Sequence, residues 1–334
     1  MMPTVDELKV DFLRCDHPQA PVFRLDGTAS VPSLGPASIA IGAFDGVHRG
    51  HRELIAATCA DARARGIRSA IVTFDPDPDV VLSQHPAKKL MSAPDRLDVL
   101  ARTGVDAVIV VPFTRELASL DHEAFFALLG RILDIETVRV GSDFRLGRGG
   151  ASDVSVISSW GADRGIEVFG HELLREDGET ICSTRIRSQL DAGHVEEAAH
   201  LLGRAFMVRG EVESGRGEGA GMGFPTANVH VDARLQMPAD GVYEGLMLVG
   251  DTVWPAAVNV GLPPTYADRA ASAHLEANLI GFTGDLYGRS VSLAFTRWLR
   301  PSRTFDELDE LIETVEGNIS DITSNLGDKG VALV

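Results

Sequence analysis

Cysteine is scarce in this 334-residue chain: the three present, Cys15, Cys59 and Cys182, are odd in number, far apart and in no CxxC spacing. That excludes a disulfide framework and a cysteine-based structural zinc site, and it predicts a reducing, cytoplasmic setting. Positive charge is also in deficit, with 31 Lys+Arg against 48 Asp+Glu and a formal net charge of −17. Non-specific nucleic-acid binding rests on cations that neutralise phosphates, so no nucleic-acid partner is expected, although a few local cations can still hold a small anionic substrate. No apolar run approaches the ~20 residues that span a bilayer. Residues 1–7 have neither a basic start nor a following apolar segment, so neither a membrane role nor export is expected. Internal repeats and low-complexity tracts are missing too. With 44% hydrophobic residues the chain is expected to fold almost throughout, and its length suits roughly two domains of about 100–200 residues.

What is present follows two successive patterns. From about Ser38 to Leu174, short β-branched runs alternate with longer amphipathic ones, which predicts parallel strands joined by helices in an open doubly wound α/β sheet. The expected strands are Ser38–Phe44, Ser69–Phe74, Ala107–Val111, Val138–Gly141 and Ile166–Phe169, with helices at Arg52–Arg65 and Pro94–Arg102, the second capped by Ser92. A helical stretch, Arg185–Gly203, then acts as a hinge. Beyond it, Met207–Val212, Ala227–Val231, Val242–Val249, Thr252–Val260, Ala273–Ile280 and Ser290–Arg297 read as strands without helices between them, and Gly250-Asp251 suits a tight hairpin. This predicts a small antiparallel β-barrel with a C-terminal helix over Phe305–Leu326. The expected domains are 23–200 and 201–334, with 1–22 as an irregular extension or short helix of unknown role.

In open α/β sheets ligands sit outside the carboxyl ends of the strands, so the loops there carry the chemistry. The stretch SIAIGAFDGVHRGHRELI, residues 38–55, runs from a strand through a glycine turn into a helix, with His48 and His51 on one face and Gly50 between them. A helix start of this kind suits a triphosphate. A metal pair or two surface histidines compete with that reading, and a zinc ion would need a third ligand that no nearby Cys or His supplies. In CSTRIRSQL, residues 182–190, Ser183 and Thr184 can cap a helix while Arg185 and Arg187 bring cations to its first turn; the string also describes an ordinary capped surface helix. VGSDFRLGRGG, residues 140–150, follows a strand and adds Asp143, Arg145 and Arg148, and alone it also describes a Gly-rich turn. In the second half, SGRGEGAGMG, with Gly217, Gly219 and Gly223, leads into FPTAN at 224–228, either a loop over phosphates or a flexible solvent loop.

Together GAFDGVHRGH, VGSDFRLG, STRIR, GMGFPTANV, GVY and DLYG resemble the bacterial bifunctional riboflavin kinase/FAD synthetase family, over roughly Ser38 to Phe305. The resemblance implies an N-terminal HxGH adenylyltransferase and a C-terminal flavokinase barrel, with riboflavin, FMN and MgATP as small-molecule partners and FAD as product. It implies catalytic roles for His48, His51, Arg187 and Glu276, and ATP contacts at Gly42, Phe44, Gly50, Ser183, Thr184, Gly217, Gly219, Gly223 and Pro225. Flavin contacts are implied at Asp143, Phe144 and Tyr243, and Mg²⁺ ligands at Thr226 and Asn228; self-association is allowed. The family's usual FDPHP is FDPDP here, with Asp77 adding negative charge near the site. Glu218 and Ala220 stand where basic residues are usual, Pro263 replaces an Arg, and Gly281 replaces an Asp, so the kinase is expected to be the weaker half. Two other classes compete: a related HxGH nucleotidyltransferase with another substrate, and a non-catalytic flavin-binding regulator. The first leaves the barrel unexplained; the second has little need for both histidines and STRIR.

Overall fold

The structure, a computed structural model, describes residues 1–14, 18–28, 30–214, 223–261 and 275–333. In chain order it contains α1 (Val5–Asp11), β1 (Val22–Arg24), β2 (Pro36–Ile41), α2 (Arg49–Arg65), β3 (Arg68–Phe74), α3 (Pro78–Leu82), α4 (Ala93–Ala101), β4 (Ala107–Val111), α5 (Arg115–Ser119), α6 (His122–Leu129), β5 (Asp134–Gly141), α7 (Val154–Ala162) and β6 (Glu167–His171). There follow β7 (Arg175–Glu176), β8 (Glu179–Thr180), α8 (Ser183–Asp191), α9 (Val195–Leu202), β9 (Phe206–Glu213), β10 (Ala227–His230), β11 (Gly241–Val249), β12 (Thr252–Val260), β13 (Leu275–Leu279), β14 (Ser290–Arg300), α10 (Leu308–Leu326) and β15 (Val331–Ala332). Two compact units result: residues 16–87 with 92–182, and residues 1–15 with 88–91 and 183–334.

In the first unit β1–β6 form a six-stranded parallel sheet in the order β1-β4-β3-β2-β5-β6. Its central strands read as continuous apolar runs because helices cover both faces: Ile39, Ile41, Val72, Ile109 and Val138 are all buried. Ser92 caps α4, accepting the Asp95 N–H, and Pro94 sits in its first turn as expected. The first expected strand, β2, ends at Ile41 and not at Phe44, because the chain there turns sharply: Phe44, Gly46 and Val47 all have positive φ.

The second unit is an all-antiparallel barrel. Its strands run β11-β14-β9-β10-β13-β12, β11 pairs back onto β12 to close the ring, and β15 lies on the edge of β12. The β11–β12 hairpin turns at Gly250-Asp251, as its sequence predicts. The expected helix over Arg185–Gly203 is two helices, broken where Gly193 takes a φ of +80°. Leu190, Val195, Ala198, Leu201 and Leu202 are fully buried, and α9 packs on β9 and β14. The compact units therefore part at residue 182/183, whereas the expected division was at 200/201. The first residues also join this unit: α1 is closed by a capping box between Thr4 and Glu7, Leu8 and Phe12 are buried, and the Asp11 carboxylate accepts the Ala205 N–H at 2.7 Å. Among the described residues no helix is long and apolar enough to cross a membrane.

Candidate active sites

The turn from β2 into α2 is built by strain and close packing. Phe44 and Val47 hold left-handed φ values of 57° and 42°, a conformation that costs energy in residues with side chains and that clusters at functional turns. Phe44 is buried, and a Cβ on Gly42 would meet its ring at 3.3 Å, a tight contact that favours glycine there. His48 is the N-cap of α2, and its Nδ1 accepts the His51 N–H at 3.4 Å. The two imidazoles stack with centroids 3.6 Å apart, and Phe44 meets His51 edge-on at 5.2 Å. Burial first, then the neighbouring His48 and Arg96, hold the His51 pKa well below the ordinary histidine value. The Nδ1 of His51 is buried and has no hydrogen-bond partner among the described residues. His48, His51, Gly42, Phe44 and Gly50 thus lie together at one turn.

Asp77 does not add free negative charge to this site. It is buried and ion-paired to the equally buried Arg96, whose other arm donates to the Phe74 carbonyl at 2.7 Å. Arg96 was missed in the sequence; the one signal was an arginine among the apolar positions of α4, whose Leu97, Val99 and Leu100 are buried. On the neighbouring strand, the loop after β5 carries Asp143, which is exposed, and Phe144, which packs partly against the core; its N–H bonds back to the Gly141 carbonyl. Arg148 is tied by its Nε to the Ser119 carbonyl at 3.0 Å.

Ser183, Thr184 and Arg187 belong to the barrel-containing unit. Helix α8 begins at Ser183, so the two hydroxyl residues occupy its first turn and do not precede it. Arg185 is paired to Glu197 at 3.2 Å, and Arg187 reaches the Lys88 carbonyl at 3.4 Å.

In the barrel, Asn228 on β10 lies directly opposite Glu276 on β13, and Glu276 lies opposite Asn259 on β12. Directly paired residues share a face, so a polar row Asn228–Glu276–Asn259 runs across three strands, with Thr226 at the entry to β10 two residues before Asn228. Asn259 accepts from the Ser302 hydroxyl at 3.1 Å. Among the described residues no group of three or more His, Cys, Asp or Glu side chains is placed to hold a metal ion. Tyr243, expected beside the flavin, is a core residue: it is fully buried, its hydroxyl donates to the Ala239 carbonyl, and its ring packs edge-on against Phe295 and Trp298. Gly281, where the resemblance expects Asp, has a φ of +76°, and a Cβ there would lie 2.0 Å from the Asp328 carbonyl oxygen. Packing therefore dictates that glycine. Gly217, Gly219, Glu218, Ala220 and Pro263 lie outside the described residues.

Comparison with known proteins finds two families matched in succession along the chain. Residues 31–185 match a family described as FAD synthetase, and residues 202–326 match one described as riboflavin kinase. A bifunctional riboflavin kinase/FMN adenylyltransferase from Escherichia coli K12 is 34% identical over 82% of this chain and 87% of its own length. One of the same description from Pseudomonas fluorescens is 32% identical over 84% of this chain and 90% of its own length. Among solved structures, a Streptococcus pneumoniae protein described as a macrolide-efflux protein aligns with a TM-score of 0.81 at 27% identity, covering 91% of this chain and 99% of that one.

Proposed function

This chain belongs to the bifunctional riboflavin kinase/FMN adenylyltransferase family, and from that membership we propose how its own residues divide the two steps of FAD biosynthesis. It is an enzyme that phosphorylates riboflavin to FMN and adenylylates FMN to FAD. In the second step a phosphate oxygen of FMN attacks the α-phosphorus of ATP, the bond to the α–β bridging oxygen breaks, and pyrophosphate leaves. Positioning and charge stabilisation supply most of such a rate, with no covalent intermediate needed.

The observation that carries our reading is the stacked His48–His51 pair at the start of α2. His51 is neutral at pH 7 because burial and neighbouring positive charge disfavour its imidazolium, so it acts as a fixed N–H donor to the reacting phosphate. We assign Asp143 and Phe144 to the flavin side, Gly42, Phe44 and Gly50 to the nucleotide, and Ser183, Thr184 and Arg187 to the departing β- and γ-phosphates.

In the barrel we assign Glu276 as the base that takes the proton of the ribityl hydroxyl. That oxygen then bonds to the γ-phosphorus as the bond to the β–γ bridging oxygen breaks, and ADP leaves. Thr226 and Asn228 offer hydroxyl and amide oxygens, the hard donors that suit Mg²⁺ beside nucleotide phosphates, and they would hold it. When bound, the ion neutralises triphosphate charge. Tyr243 has no part in this assignment. A cytoplasmic setting suits the free thiols of Cys59 and Cys182.

The test is to incubate the protein with MgATP and either riboflavin or FMN and separate the products. FMN should appear from riboflavin, and FAD with pyrophosphate from FMN. His51→Ala should slow FAD formation by about 10²–10³ while leaving riboflavin phosphorylation intact. A variant within twofold of the unmodified protein would overturn the site assignment.

A further inference from the structure

The ladder between β10 and β13 has two register pairs, Ala227 with Ala277 and Asn228 with Glu276. It stops at Ala227, two residues after Pro225. At that point a side chain takes over: the Asn278 amide nitrogen donates to the Pro225 carbonyl at 2.8 Å, across 53 residues of sequence. The acceptor is a carbonyl, so the group facing it has to be the NH₂ end of the amide. Asn278 lies two residues beyond Glu276 on the same strand, hence on the same face, and its partner on β12 is the small Ala257. One short strand therefore carries both Glu276 and the group that holds the segment bearing Thr226 and Asn228.

We infer that Asn278 is a positioning residue of the kinase half: its amide holds the Pro225 carbonyl just beyond the last ladder pair and so sets where Thr226 and Asn228 stand beside Glu276. The inference rests on the proposed roles of those three residues. Asn278 itself touches protein backbone, so it acts through the FPTAN segment and has no part in proton transfer. Its loss should weaken nucleotide binding and leave the chemical step nearly unchanged. Asn259, on the other side of Glu276, has its amide oxygen engaged by Ser302, and Asn278 is the member of this face that reaches the FPTAN backbone.

The experiment compares Asn278→Ala and Asn278→Gln in the full chain. Riboflavin phosphorylation is measured against MgATP concentration, FMN adenylylation serves as an internal control for folding, and amide hydrogen exchange is followed at Ala227 and Asn228. Losing one intramolecular hydrogen bond should raise KM for MgATP about three- to tenfold in Asn278→Ala, with kcat within twofold. Exchange at Asn228 should quicken, adenylylation should stay unchanged, and Asn278→Gln, which keeps the donor, should recover most of the KM. An unchanged KM with unchanged exchange overturns the inference, as does a loss confined to kcat. If the unmodified protein makes FAD from FMN but phosphorylates no riboflavin, the kinase reading fails, and the exchange rates alone then decide the role of Asn278.

Discussion

At the residue scale, the Arg96–Asp77 pair sets the charge beside the His48–His51 turn. Both groups are almost wholly out of solvent, so each is tolerable only because the other is there. Asp77→Ala should cost about 3–5 kcal/mol by leaving a buried guanidinium unpaired, whereas Arg96→Met with Asp77→Leu should recover most of that loss. Urea unfolding of the single and double variants checks both. His51 gives a signed pH dependence. Its pKa in the folded chain lies well below 6.5, so the unfolded chain binds the proton first. The stability it carries is complete above pH 6.5 and is lost as pH falls below that value. The His51 imidazole should remain neutral at pH 6 by NMR, and a protonated ring there would contradict the account.

At the element scale, α2 is held to its sheet by Asp61, whose carboxylate accepts from Ser38 on β2 at 2.9 Å and Thr137 on β5 at 2.7 Å and pairs with Arg139 at 3.2 Å. Burial opposes its ionisation, but bonds from Thr137, Arg65 and Ser38 and the charge of Arg139 outweigh burial and hold its pKa at about 2. This contribution is present above pH 3.8 and is lost as pH falls through about 2, so Asp61→Asn should flatten the acid limb of a stability–pH curve. The β13 end makes a second prediction. Gly281→Asp restores the residue the resemblance expects, yet it forces a side chain into the Asp328 carbonyl and into a left-handed φ. It should lower stability by at least about 1–3 kcal/mol and give no gain in riboflavin phosphorylation. A variant of unchanged denaturation midpoint would defeat the packing explanation.

At the scale of the whole molecule, function and packing divide the chain at different places. The family matches change over between residues 185 and 202, whereas the compact units change over at 182/183 and draw residues 1–15 into the barrel unit. A fragment starting at residue 201 therefore strips away α8 and most of α9. Burying a large apolar side chain is worth about 1.5–3 kcal/mol. A fragment starting at residue 183 should accordingly be more stable by several kcal/mol, because Ile186, Leu190 and Val195 are fully buried. Deleting residues 1–14 removes Leu8 and Phe12 and should destabilise the barrel while sparing the parallel-sheet unit, which two separate thermal transitions would reveal.

Local pattern alone determined five of the six parallel strands, the barrel hairpin at Gly250-Asp251, the Ser92 cap and the HxxH helix start, because each depends on near neighbours in sequence: side-chain period, turn chemistry and capping; the edge strand β1 escaped it. The family resemblance likewise rested on short contiguous strings. Only the tertiary structure decided the partners that come from far away. Asp77 looked like excess charge until Arg96, nineteen residues on, neutralised it. Tyr243 looked like a ligand contact until Trp298 and Phe295 enclosed it, and Gly281 looked like a lost site residue until Asp328 filled its space. Asn278 had no visible purpose in sequence, since its partner, Pro225, lies 53 residues away, just before another strand. Charge neutralisation, enclosure and side-chain rungs between strands are long-range properties, and no periodicity or motif records them.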